Sequence, residues 1–154
     1  NLLMSKAFES AVRLLARREH GAHELAQKLI QKKHLEPDVT NAILECQRLG
    51  LQSDMRYVES LCRTRIRQGY GPLRIRQDLK QVKIERDLIE MVLEQEQDNW
   101  VSYANDVWIK KYKEQGDNSF AAIQKQKQFL LYRGFSMDTI GELYEKFADK
   151  TSIF

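Results

Sequence analysis

The apolar positions of this chain recur at three- and four-residue steps almost from end to end, the spacing that gathers side chains on one face of an α-helix. Ala7, Phe8, Ala11, Leu14 and Leu15 mark a first helix, and Leu25, Leu29 and Ile30 a second. Val39, Ile43 and Leu44 mark the inward face of a third, opening near Pro37, because a helix's first turn tolerates proline. Leu49-Gly50-Leu51 closes it, with Gly50 suited to a left-handed cap. Asp54 reads as the N-cap of a fourth helix that presents Val58, Leu61, Cys62 and Ile66. Gln68-Gly69-Tyr70-Gly71-Pro72 is the sharpest break, and Pro72 restarts a helix carrying Ile75, Leu79 and Val82. Leu88, Ile89, Val92 and Leu93 follow, then Trp100, Tyr103, Ala104, Val107, Trp108 and Ile109. A polar loop over 115–119 offers Ser119 as a cap for a helix with Phe120, Ile123, Phe129, Leu130 and Tyr132. After Gly134 a last helix carries Ile140, Leu143, Tyr144 and Phe147, and the tail over 151–154 is expected to fray.

The same text occurs three times. Gly21 to Leu29, then Leu35-Glu36-Pro37-Asp38-Val39, is echoed by Gly71 to Leu79, then Ile84-Glu85-Arg86-Asp87-Leu88. A weaker third copy reads Lys125 to Phe129, then Phe135-Ser136-Met137-Asp138-Thr139. Self-similarity at about fifty residues means one supersecondary unit in tandem. The expected fold is therefore all-α: three three-helix modules over 1–53, 54–98 and 99–154, about nine helices, in an elongated curved arrangement.

Composition adds little to that picture, whereas the placement of charge changes it. A net charge of +3 on 154 residues is mild. Between Arg63 and Lys83, however, seven basic residues (Arg63, Arg65, Arg67, Arg74, Arg76, Lys80 and Lys83) face one acid, Asp78. From Ile84 to Asp98 the balance reverses, with Arg86 against Glu85, Asp87, Glu90, Glu94, Glu96 and Asp98. A basic front and an acidic back direct a field at an anionic partner. A second basic set, Lys110, Lys111, Lys113, Lys125, Lys127 and Arg133, shares its module with most of the aromatics. Such interleaving can serve single-stranded nucleic acid, although helical spacing assigns those rings more simply to the core. Arg63 and Arg67 align on one face. Arg74 and Arg76 sit at a helix start, where cations oppose the macrodipole, so something else must favour them. The fork of arginine suits carboxylates and phosphates, and the plainer reading is salt bridges to the acidic helix.

Catalytic chemistry finds no foothold. His20 and His23 straddle a turn and read as solvated, and no CxxC or HExxH is present. Cys46 and Cys62 lie on apolar faces, where a free cysteine behaves as a small hydrophobe. Gly69-Tyr70-Gly71-Pro72 lacks the Lys-Ser/Thr of a P-loop. Glu94 and Glu96 read as part of a solvated helix face. No enzyme, metal or cofactor is expected. No apolar run is long enough to span a membrane, and residues 1–5 lack the flank and cleavage site of a signal peptide, so reduced thiols in the cytoplasm are expected.

Several of these motifs, in order, resemble the bacterial RecX family: Ala11 to His20, Glu24-Leu25, Lys28-Leu29, Leu49-Gly50-Leu51 with Asp54 and Tyr57, Tyr70-Gly71-Pro72 with Arg74 to Leu79, and Phe129 to Phe135 around Gly134. The resemblance runs from about Ala7 to Asp149 and departs where Gly21 replaces a usual Ser or Thr, and where Leu51-Gln52-Ser53-Asp54 replaces Tyr-Leu-Asp-Asp. It implies tandem three-helix modules and a non-catalytic modulator of the RecA recombinase. Such a protein is expected to bind the groove of the RecA–DNA filament as a monomer and to bind DNA weakly alone. Inhibition of ATP hydrolysis, strand exchange and filament extension is expected to follow. The basic residues of both sets, Lys113 apart, are the expected filament contacts, those over 63–83 first. Tyr70, Gly71, Pro72, Leu79 and Gly134 are expected to serve structure. The competing reading is a helix-turn-helix-like DNA reader independent of RecA, which would bind duplex alone with a steep salt dependence. A helical scaffold without a nucleic-acid partner is a third reading, disfavoured by the basic front.

Overall fold

A computed structural model describes residues 5–152, with side chains as far as Asp149. The opening residues 1–4, read for a leader, and residues 153–154 of the tail lie outside the described residues. The described residues form nine α-helices and one 3-10 turn, with no strand. The first triplet is α1 (Lys6–Arg17), α2 (Ala22–Gln31) and α3 (Glu36–Arg48). The second is α4 (Asp54–Arg67), α5 (Pro72–Gln81) and α6 (Arg86–Glu94). The 3-10 turn Gln97–Asn99 leads into α7 (Trp100–Tyr112), α8 (Phe120–Tyr132) and α9 (Met137–Ser152).

The repeat is visible in burial. Leu29, Leu79 and Leu130 stand fifty and then fifty-one residues apart, and all are fully buried. Val39, Ile89 and Ile140 keep the same spacing and are buried, as are Ala42, Val92 and Leu143. The middle helix of each triplet also leaves by one device. Lys33, Lys83 and Gly134 take positive φ (74°, 60° and 97°), and the next residue's N–H returns to a carbonyl five residues back. That is the Schellman arrangement, which satisfies carbonyls the helix leaves unpaired. Two lysines adopt a backbone that usually falls to glycine. Gly50 and Gly69 end α3 and α4 in the same way, Gly50 as the sequence predicts.

By contact the described residues separate into two compact units. One holds the described residues through Leu61 together with Leu79–Ile89; the other holds Cys62–Asp78 and the described residues from Glu90 onward. In the first, Ala7, Phe8 and Ala11 of α1 pack with Leu25 and Leu29 of α2 and Val39, Ala42 and Cys46 of α3. In the second, Trp100 meets Phe135 edge-on at 6.5 Å, and Trp108 lies 4.7 Å from Phe147 of α9.

Several local expectations are corrected. Leu44 is 57% exposed; the inward face of α3 is Val39, Ala42, Ile43 and Cys46, reached from Val39 by steps of three and four that leave Leu44 turned aside. Ile30 and Ile109 are exposed as well. Phe120 and Tyr132, at the two ends of α8, are 79% and 84% exposed rather than core. Asp54 does not cap its own helix. Ser53 does that, its Oγ accepting from the Arg56 N–H at 3.2 Å, while Asp54 Oδ1 accepts from the Ala22 N–H at 2.8 Å and from Gln52 Nε2 at 2.9 Å. Gly21, at the N-cap of α2, has no side chain to offer, and Asp54 supplies the missing oxygen. A Cβ at Gly21 would lie 3.3 Å from the Tyr57 ring and 3.4 Å from Ile84, so glycine there makes room for both.

His20 is not solvated: it is 1% exposed. Its Nδ1 lies 3.0 Å from the Arg18 carbonyl, which can only accept, so Nδ1 carries the proton and Nε2 accepts from Lys28 Nζ at 3.0 Å. Burial lowers its pKa against the pull of the Arg18 carbonyl, and the charges of Arg18 and Lys28 add to the lowering. Glu96 lies beyond the end of α6 and is half-buried, accepting from Tyr103 Oη at 2.5 Å, rather than riding a solvated helix.

Candidate functional site: a cation-rimmed groove

The second compact unit carries an open groove of about 570 Å³ lined from α4, α7 and α8. Its rim holds Arg67, Lys110 and Lys111, all exposed, and half-buried Arg133. Its floor holds Ile66, Val107, Phe129 and the ring of Tyr103, all half-buried. One carboxylate, Asp106, joins the lining. Four cations around one acid leave a strong positive potential over an apolar floor.

The local sequence explains how these groups meet. Gly69, at φ 86°, ends α4 and turns the chain where a Cβ would sit 3.3 Å from Val107 and 3.5 Å from Arg133 Nη1. Arg133 Nη1 then donates to the Gln68 carbonyl at 3.0 Å, which fixes the guanidinium at the groove edge. The last turn of α7 bears Lys110 and Lys111, where the helix dipole favours cations. Lys111 Nζ lies 3.8 Å above the Phe129 centroid, and the Arg133 guanidinium carbon lies 5.2 Å from the same ring. Arg133 also lies 5.0 Å from the Tyr70 ring, and Arg74 4.6 Å from it. Lys111, Phe129, Arg133, Tyr70 and Arg74 thus alternate cation and ring. Each such contact contributes about 0.5–1 kcal/mol at a wet surface, enough to order long side chains without hiding their charge.

The expected basic residues divide into groups. Arg67, Lys110, Lys111 and Arg133 come together at the groove, uniting members of both basic sets. Arg65 Nε donates to Asp78 Oδ2 at 2.7 Å, and Arg74 Nε to Asp78 Oδ1 at 3.2 Å, so one carboxylate answers two arginines. Arg76 forms a two-point fork with Glu90 at 2.8 and 2.9 Å. These pairs are what favour Arg74 and Arg76 near a helix start. Arg63 is exposed on α4. Lys125 is exposed on α8, and Lys127 Nζ lies 5.0 Å from the Tyr144 ring. Lys80 and Lys83 are exposed and belong to the other compact unit.

Sequence reasoning placed Phe129 in a motif but not between two cations, and it passed over Gly69, Val107 and Tyr103 as lining. The only signal was the coincidence of Lys110-Lys111 with Phe129 and Arg133, whose meeting depends on how α7 and α8 pack.

Gly71 and Gly134, two of the motif residues, lie where two helix ends meet. Gly71 N–H donates to the Arg133 carbonyl at 2.8 Å, and Leu73 N–H to the Gly134 carbonyl at 3.0 Å. The C-terminal carbonyls of α8 therefore satisfy the first donors of α5, and the dipoles of the two helices meet head to tail.

Tyr103 is pushed up to about 12 by its hydrogen bond to Glu96, with burial adding. Burial, with Glu96 nearby, pushes the Cys62 thiol up to about 11, and burial raises Cys46, so both thiols are protonated at neutral pH. Among the described residues no group of three His, Cys, Asp or Glu could hold a metal ion, and no helix is long and apolar enough to cross a membrane.

Comparison with known proteins matches this architecture. Family profiles described as the first, second and third three-helix domains of RecX match residues 7–46, 53–93 and 100–143. A protein of Legionella pneumophila named Regulatory protein RecX is 58% identical over 143 residues, covering 93% of this chain and 95% of its own. One of Pseudomonas putida with the same name is 41% identical over 138 residues, covering 87% of this chain and 86% of its own. The crystal structure of RecX from Lactobacillus salivarius superposes with a TM-score of 0.76 at 26% identity, covering 92% of this chain and 94% of that one. Both relatives are named as regulatory proteins. With three domain profiles in order and identity that high over nearly its whole length, the chain belongs to the RecX family.

Proposed function

We propose that this chain is a negative regulator of the RecA recombinase. It binds the groove of the RecA–DNA filament and inhibits ATP hydrolysis, strand exchange and filament extension without catalysis of its own. It acts in the cytoplasm as a monomer, its three modules divided at 53/54 and 98/99, and it binds DNA only weakly alone. The observation that carries the reading is family membership, joined to a cationic surface fit for an anionic assembly.

Exposed Arg63, Arg67, Lys110, Lys111 and Lys125 are free to exchange water for phosphate or carboxylate. Arg65, Arg74 and Arg76 must first leave Asp78 and Glu90, so their share is smaller. Binding that favours one filament state shifts the equilibrium only by the difference in affinity between states.

The test is RecA's hydrolysis of ATP on single-stranded DNA, with this protein added well below one per RecA subunit. Strong inhibition at such ratios supports filament modulation and favours capping or propagated disassembly over one-to-one blocking. No inhibition even in excess, with tight salt-sensitive binding to duplex alone, replaces the reading with an independent DNA reader.

A further inference from the structure

The groove's chemistry is more particular than a basic surface. Its four cations stand on the rim, while the floor is aliphatic and aromatic. A phosphodiester strand has little use for such a floor unless its bases stack on open rings. Here the Phe129 ring carries Lys111 Nζ at 3.8 Å and has Arg133 at 5.2 Å, and the Tyr70 ring has Arg74 and Arg133 within 5.0 Å. The rings are engaged by cations, which leaves cations rather than ring faces on display. A space of about 570 Å³ over Ile66 and Val107 suits one or two buried apolar side chains.

We propose that this groove is a docking site for an acidic protein segment that carries a bulky apolar residue, the carboxylates meeting the rim and the apolar side chain seated on Ile66 and Val107. Charge complementarity selects the occupant, since an apolar helix of ordinary composition would strand four rim cations. Arg133, already tied to the Gln68 carbonyl, retains further donors for a carboxylate and loses little freedom on binding. Asp106 in the lining disfavours acids at that one point. The proposal goes beyond the regulation of RecA and does not depend on it.

The experiment titrates a short peptide of alternating Asp and Glu ending in Leu-Phe into the 15N-labelled 154-residue chain, followed by heteronuclear NMR. The expected shifts cluster at Gly69, Val107, Lys110, Lys111 and Phe129. A peptide of equal charge ending in Ser-Ser binds at least about tenfold more weakly, as does the Leu-Phe peptide to the Lys110→Glu/Lys111→Glu variant. Both lysines are exposed, so the variant gives up only the Lys111–Phe129 contact and the favourable helix-end charge, and its spectrum checks the fold directly. Absence of binding, equal binding of the Ser-Ser peptide, or shifts scattered over the basic surface would overturn the proposal. So would a single-stranded oligothymidylate of matched charge that takes the groove more tightly than the peptide. No RecA is present, so failure here leaves the ATP-hydrolysis test standing, and failure there leaves this one standing.

Discussion

A Cβ at Gly71 would lie 2.5 Å from both the carbonyl carbon and the carbonyl oxygen of Gly134. The two glycines are the contact through which the end of α8 reaches the start of α5, and each removes the atom that would keep the backbones apart. A Cβ on Gly134 would meet the Arg74 amide nitrogen at 2.7 Å, and its φ of 97° is one that other residues rarely adopt. The obstruction is backbone on both sides, so it cannot swing away as a side chain would. Gly71→Ala is expected to cost about 2–3 kcal/mol, at the upper end of overpacking penalties. Gly141→Ala, exposed on α9 with nothing within reach of a Cβ, is expected to gain about 0.5–1 kcal/mol from helix propensity. Urea unfolding followed by the fluorescence of Trp100 and Trp108 reads both, and near-equal midpoints for the two variants would refute the contact.

A second prediction comes from a break in the repeat. Leu25 and Ile75 are fully buried, and the equivalent place in the third copy is Gln126, also buried. Its Oε1 accepts from Trp108 Nε1 at 2.9 Å and from Tyr144 Oη at 2.6 Å. Gln126→Leu restores the repeat's aliphatic residue but strands two donors. It is expected to destabilise by about 1–3 kcal/mol, the cost of leaving buried polar groups unsatisfied. The triple change that adds Trp108→Phe and Tyr144→Phe removes those donors, and its stability should recover in part. A single Gln126→Leu variant as stable as the parent would show that the network contributes nothing.

These positions also show what the sequence could and could not reveal. Helix number, the Gly50 cap and the Ser119 cap were legible because periodicity and capping are local. The apolar content of α3 was legible, but Leu44 was assigned inward because Ile43 and Leu44 are adjacent and only a register one residue finer separates them. Lys33 and Lys83 in left-handed backbone carry no composition signal at all; only alignment with Gly134 within the repeat could expose them. Asp54 looked like a cap, and it is one, though for a helix thirty-two residues upstream. The groove was illegible for the same reason: Arg67 and Lys111 become neighbours of one cavity only after α4 and α7 are placed.

Asp54→Ala removes the oxygen that serves the Ala22 N–H, and Gly21 cannot replace it. Loss of an N-cap costs about 1–2 kcal/mol. The loss should be local, so amide hydrogen exchange is the better probe: Ala22 and the first turn of α2 should exchange faster, while the first turn of α8, capped by Ser119, is unchanged. Uniform acceleration throughout the chain would instead mean that Asp54 matters for global stability and not as a cap.

Stability should also depend on pH through His20. Its pKa is lowered by burial in the folded state, so the unfolded chain binds the proton more readily. Its contribution is complete above the unfolded value of about 6.5 and is lost as pH falls through that value toward the folded one. Protonation would place an imidazolium against Lys28 Nζ, 3.0 Å away, beside Arg18, with the Glu24 carboxylate nearby as partial compensation. Burial works against ionised Glu24, but the Arg18 hydrogen bond and nearby cations hold its pKa below 4.5, so its own loss falls at lower pH. Urea midpoints should therefore decline between about pH 7 and pH 5.5 in the parent, and less steeply in His20→Asn, which is weaker at neutral pH but has no imidazole to titrate. Equal slopes would remove His20 as the cause.

The proposed regulation of RecA predicts an asymmetry among the arginines and lysines. Arg76→Glu would set two carboxylates against each other where Arg76 and Glu90 now form a fork, and Arg74→Glu would do the same to Asp78. Those reversals lose activity by loosening the fold, and they report little on filament contact. Lys110→Glu/Lys111→Glu changes exposed side chains at a groove rim, where charge reversal acts on the partner instead. Inhibition of RecA's ATP hydrolysis by that variant is expected to need at least about tenfold more protein, a loss larger than the modest fall in unfolding midpoint that follows from giving up the Lys111–Phe129 contact and the favourable helix-end charge. Raising salt should weaken the parent's inhibition more than the variant's, since the variant has fewer long-range attractions left to screen. A variant that inhibits as well as the parent, with the same salt dependence, would move the filament contact away from this rim, toward Arg63 or Lys125.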